Sequence, residues 1–140
     1  MPMPYTYRHA SEEWRAWLSG LRAVTMVPSD NTLYTATEAV LKSFRARLTP
    51  QQALAFADLL PTVLRAIFVS GWDTDAPLQD WPDRETLRQE MLAWRRHHNV
   101  SPPDLLEHLL AAVPATMRRP DLDRVLNGIG PQARAFWGTD

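Results

Sequence analysis

Four carboxylates crowd one short stretch of this 140-residue chain: Asp73, Asp75, Asp80 and Asp83. Oxygen-rich loops of that kind hold calcium or magnesium. The spacing, glycine and closing glutamate of an EF-hand are missing, however. The stretch therefore reads as a solvated linker, with Asp80 or Asp83 on the first turn of the helix that follows. His97 and His98 are neighbours. On a helix they point about 100° apart and cannot readily share a metal. Together with Arg95 and Arg96 they place cations at a helix C-terminus, where the dipole favours them. His9 and His108 have no partner at ligand spacing. Ser70-Gly71-Trp72 lacks the G-x-S-x-G frame of a nucleophile elbow. A Gly-rich phosphate loop, a zinc signature and a Ser-His-Asp order are also missing. The sequence thus assigns no catalytic residue, no metal ligand and no cofactor.

Three residues remain as candidate groove or anion contacts: Arg65, Arg134 and Trp72. Each arginine follows a proline break in a helical pattern, so each is expected to satisfy backbone carbonyls left open at the kink, or to pair with a carboxylate. Anion binding in a groove is the functional alternative. Trp72 and Trp81 bracket the linker and read as pins that hold it to the helices. Arg118 and Arg119 precede a helix and read as a solvent-exposed turn.

Composition bounds the partner classes. Fifteen basic and 16 acidic residues leave a net charge of −1. Nucleic-acid binders draw affinity from phosphate contacts and show a basic excess, so this balance argues against such a partner. Cysteine is absent, which excludes disulfides and thiolate chemistry. No apolar run approaches the roughly 18 residues of a membrane span, and no signal peptide is readable. A soluble cytoplasmic protein is the expectation.

The elements that must position these residues read as helices. Ser11 opens the first, to about Val24, with Trp14, Trp17, Leu18 and Leu21 as its apolar stripe. Residues 25–32 read as a loop. The second runs from about Leu33 to Leu48; Val40, Leu41 and Phe44 face inward, and Glu38, Lys42, Arg45 and Arg47 form its outer face. Thr49-Pro50-Gln51-Gln52 is a capping box with proline at the first position, and it starts the third. Pro61 must kink or break that helix, and Gly71 stops it. Residues 73–80 are the linker. A fourth helix spans about Pro82 to His97. A fifth opens at Ser101-Pro102-Pro103-Asp104 and ends near Pro114. A sixth opens near Arg119, breaks at Gly128-Ile-Gly130-Pro131 and resumes to Trp137.

These segments repeat. With an offset of 69, the spacing of Arg134 from Arg65, Phe68 falls on Trp137 and Val40 on Leu109. The first helices align with an offset of 73, the spacing of Leu87 from Trp14; the longer loop near Met26 absorbs the difference. The fold expected is all-α: about six helices as two pseudo-repeated three-helix halves, 7–72 and 81–137, packed into one bundle and a single domain over 1–140. One half is too small to bury its apolar face alone.

The run Ala39-Val-Leu, Arg47-Leu-Thr-Pro50, Leu60-Pro61, Leu64-Arg65 and Gly71-Trp72 resembles the bacterial domain-of-unknown-function family 2267 (DUF2267). The second half departs from that family's weaker repeat of the Leu-Pro and Arg signal, reading Ile129-Gly130-Pro131 before Arg134. The resemblance implies an all-helical fold. It carries over no activity, cofactor or catalytic residue. The reading that follows is a non-catalytic protein-interaction module acting on a protein partner or by self-association. The alternative is a small-molecule-binding protein or enzyme with a pocket between the two halves.

Overall fold

The computed structural model describes residues 3–94 and 104–139. The expected histidine and arginine cluster, Arg95 to His98, and the Ser101 cap lie outside the described residues. All regular structure among the described residues is helical: α1 (Tyr5–Arg8), α2 (Ala10–Thr25), α3 (Asp30–Arg45), α4 (Pro50–Ala57), α5 (Thr62–Val69), α6 (Arg84–Trp94), α7 (Leu105–Ala112), α8 (Arg119–Ile129) and α9 (Pro131–Trp137), with a 3-10 turn at Pro114–Thr116.

Nine α-helices thus stand among the described residues where the sequence predicts about six, and the physical reasons are local. Pro61 does not merely kink the third segment. It separates α4 from α5, and its carbonyl then accepts from the Arg65 N–H at 2.8 Å. Gly130, at φ 138°, separates α8 from α9 in a conformation that side chains resist. Gly128 stays inside α8. The third addition is the short α1. The loop before α3 is also shorter than predicted. Ser29 accepts from the Thr32 N–H and starts the helix at Asp30. The Thr49–Gln52 capping box is present in both directions.

Central to the packing is α3. It buries Leu33, Ala36, Thr37, Ala39, Val40, Leu41, Ser43 and Phe44, more than one face of a helix, because neighbours surround it. It packs on α2, α5, α6 and α7. In turn α2 packs on α7, α4 on α8, and α7 on α9. One cluster of buried apolar side chains runs from Leu18 to Trp137. Its hub is Phe44, fully buried, with ring centroids of Phe56 at 4.7 Å, Phe136 at 5.0 Å, Trp137 at 5.2 Å and Trp81 at 5.9 Å.

A strap, residues 70–83, joins α5 to α6. Gln79 donates its N–H to the Ala46 carbonyl at 3.0 Å. Trp81 packs against both Phe44 and Phe136. The Thr86 N–H donates to Asp83 Oδ1 at 2.7 Å, which caps the start of α6 and holds the Asp83 carboxyl below the usual range.

Candidate functional site

The last turn of α3, the strap and α6 enclose a cleft of about 430 Å³. Lys42 and Arg45, three residues apart, share one helical face and line it. Past the end of α3 the chain turns, and this turn swings Arg47 inward. Its side chain is only 3% exposed. It donates Nη1 and Nη2 to Glu90 at 2.9 and 2.5 Å, Nε to the Asp80 carbonyl at 2.9 Å and Nη1 to the Ser43 carbonyl at 2.9 Å. One guanidinium thereby ties α3, the strap and α6 together. Arg47, with Ser43 beside it, holds the Glu90 carboxyl below the usual range against the opposing push of burial. The expectation that Arg47 belongs to the outer face of its helix is therefore corrected.

Arg45 donates from Nη1 to the carbonyls of Phe68 (2.8 Å) and Ser70 (2.9 Å), the open end of α5. Its guanidinium lies 5.5 Å from the Trp72 ring. Burial lowers its pKa. Lys42 Nζ stands 3.4 Å from Glu38 one turn back and 5.6 Å from the Trp94 ring.

The three residues singled out from sequence do not converge. Trp72 lines this cleft, and neither Arg65 nor Arg134 does. Arg65, half exposed, pairs with Asp58 at 3.1 Å and donates to no kink carbonyl. The Pro61 break needs no such help, because α5 simply restarts on the Pro61 carbonyl. Arg134 is better enclosed at 19% side-chain exposure. It donates to Asn127 Oδ1 at 3.1 Å, Asp123 Oδ1 at 3.0 Å and the Thr139 carbonyl at 2.5 Å. Arg134, joined by Arg119, holds the Asp123 carboxyl below its usual range. The two arginines should therefore differ in a denaturation titration. Arg65→Ala is expected to change stability by no more than about 0.5 kcal/mol, and Arg134→Ala to cost roughly 1–2 kcal/mol. Equal losses would show that these environments are misassigned.

The aspartates form no cage. Asp73 Oδ1 accepts from the Asp75 N–H at 3.0 Å, and Asp83 caps α6. Among the described residues no three His, Asp or Glu side chains are grouped to hold a metal ion. Nor, among them, is any helix long and apolar enough to cross a membrane.

A second depression, about 400 Å³, lies between α2 and the start of α5. Trp14, Ala16 and Trp17 form one wall and Pro61, Val63 and Leu64 the other; Glu13 and Thr116 supply its polar edge. The Trp14 and Trp17 rings stack at 5.7 Å, and Tyr34 meets Trp14 edge-on at 6.4 Å. Trp17 also donates its indole N–H to the Ala112 carbonyl at 3.3 Å, which pins α2 to α7. A third depression, about 600 Å³, lies beside the end of α9. Its walls include Trp137, whose buried indole N–H has no acceptor among the described residues.

Sequence reasoning missed Lys42, Arg45, Arg47, Glu90 and Trp94 as members of one site. The only local signal was the density of basic residues at the end of α3, which equally suits the helix dipole. Among known families, the model described as an uncharacterized conserved protein (DUF2267) matches residues 14–136. No curated protein matches the chain.

Proposed function

The chain belongs to the DUF2267 family, and from that premise we propose that it is a non-catalytic interaction module that holds an amphipathic helix of a partner protein in the groove between α2 and α5. The observation that carries this reading is the groove itself. Two stacked tryptophans and an opposing Pro-Val-Leu wall leave apolar surface open between α2 and α5, a setting that suits a helix bound through spaced apolar anchors. Exposed Glu13 at its edge keeps one carboxylate oxygen on the Thr62 N–H, and the other favours Lys or Arg on that helix. Meanwhile Arg45, Arg47 and Arg134 are engaged in ties to carbonyls and carboxylates of the chain itself.

The scaffold in this proposal is one domain of two related halves. Reciprocal contacts support it. Trp17 of α2 donates to Ala112 of α7, while Glu90 of α6 binds Arg47 and sits beside Ser43 of α3. Glu90 lies 73 positions after Trp17, and Ala112 lies 69 after Ser43; these are the two offsets of the sequence repeat. Likewise Arg65 pairs with Asp58 and Arg134 with Asn127, each partner also 69 positions apart.

A photo-cross-linking residue at exposed Ala16, expressed in cells, tests the function, with exposed Ala55 on α4 as the off-groove control. Position 16 should give one adduct with a different protein and position 55 none. Mass spectrometry should place the link on an amphipathic helix bearing Lys or Arg. A link to a loop, an adduct at twice the chain mass, or no adduct overturns the reading.

A further inference from the structure

We propose that the cleft between α3, the strap and α6 is a binding site for the oxyanion group of a small aromatic molecule, with Lys42 and Arg45 as its charged contacts and Trp72 and Trp94 as its flat walls. Its volume of about 430 Å³ falls within the range of small-molecule pockets, about 300–1,000 Å³.

The central observation is Lys42. Its side chain is only 13% exposed, yet its ammonium donates no hydrogen bond among the described residues. Glu38 at 3.4 Å is its ion-pair partner, and the Trp94 ring lies 5.6 Å away. An ammonium carries three donors, and a poorly solvated cation with open donors is costly. A backbone approach adds to the enclosure: a Cβ on Gly71 would stand 3.9 Å from Lys42 Nζ. Arg45 is half engaged. Nη1 holds two carbonyls, while Nε and Nη2 have no acceptor among the described residues. Arg47 is already occupied by Glu90 and contributes nothing further. Asp73, also in the lining, engages the Asp75 N–H through one oxygen, so it opposes an anion less than a free carboxylate would. The end of the α3 dipole accounts for basic residues here; it does not account for burying an ammonium whose one ion-pair partner, Glu38, leaves further donors open. An oxyanion would meet Lys42 as a point charge and Arg45 as a fork, and a ring attached to it would pack on the indole surface that lines the cleft. This site is separate from the groove between α2 and α5, so either can fail without the other.

Phenyl phosphate, benzoate and phenol are the probes, read by quenching of tryptophan fluorescence and by calorimetric titration. Phenyl phosphate or benzoate should bind saturably, and which of them binds more tightly identifies the head group. Phenol should bind at least tenfold more weakly. Lys42→Gln should weaken the anion at least tenfold while leaving the melting temperature within a few degrees. Trp94→Leu, exposed and so tolerated in folding, should weaken the aromatic anions and leave inorganic phosphate unaffected. Binding by neither anion, equal binding of phenol, or anion binding unchanged in Lys42→Gln overturns the proposal.

Discussion

Phe44→Ala is expected to cost about 3–5 kcal/mol of folding stability. The ring is fully buried and meets four aromatic neighbours, two from residues before the strap's end, Phe56 and Trp81, and two from α9, Phe136 and Trp137. Truncation removes its transfer free energy and leaves a cavity that these stiff rings cannot close. Domains of this size hold only about 5–15 kcal/mol in total, so the variant should be marginal or unfolded at room temperature. Phe44→Leu keeps much of the volume and should lose less than roughly 2 kcal/mol. Urea denaturation followed by tryptophan fluorescence and by far-ultraviolet circular dichroism measures both. The two probes should move together in one transition, because α2 to α5 and α6 to α9 share this core. Two separated transitions, or a loss below 1 kcal/mol for the alanine variant, would refute the hub.

What could be read from the sequence was local. The Thr49-Pro50-Gln52 cap depends on residues three apart, and the α2 stripe from Trp14 to Leu21 on residues three and four apart; both were visible in the order of side chains. The Pro61 break was visible because a proline acts on its own helix. Ser29 was equally local, yet Pro28 and the polar residues of 25–32 disguised it as mid-loop. What decides the cleft was not local. Arg47 turns inward to reach a glutamate 43 residues later, and helical periodicity alone placed it outside. Lys42 has an exposed helix-face signature because its enclosure comes from the strap and from Trp94. Arg65 and Arg134 share a place after a proline in the sequence, yet their environments differ because Asp123 and the Thr139 carbonyl stand beside one of them.

That non-local tie predicts the second large effect. Glu90→Gln leaves the Arg47 guanidinium, 3% exposed, facing a neutral amide. Removing one partner of a buried pair costs about 3–5 kcal/mol; because Glu90 keeps 27% side-chain exposure, about 2–4 kcal/mol is expected here. Arg47→Met with Glu90→Leu removes both charges and should recover part of that loss, leaving the Ser43 and Asp80 carbonyls short of a donor at about 1–2 kcal/mol. The pH dependence has a definite sign. Arg47 depresses the folded-state pKa of Glu90 below the ordinary 4.5, so the pair's contribution is complete above that value and is lost as pH falls through the folded pKa. Asp83 and Asp123 are also depressed and add to the acid slope of the parent. They remain in Glu90→Gln, so the difference between the two stability curves isolates Glu90. That difference should be flat above about pH 5 and shrink below pH 4.5. A difference that grows on acidification, or a double variant less stable than Glu90→Gln, would show that the pair does not hold α3, the strap and α6 together.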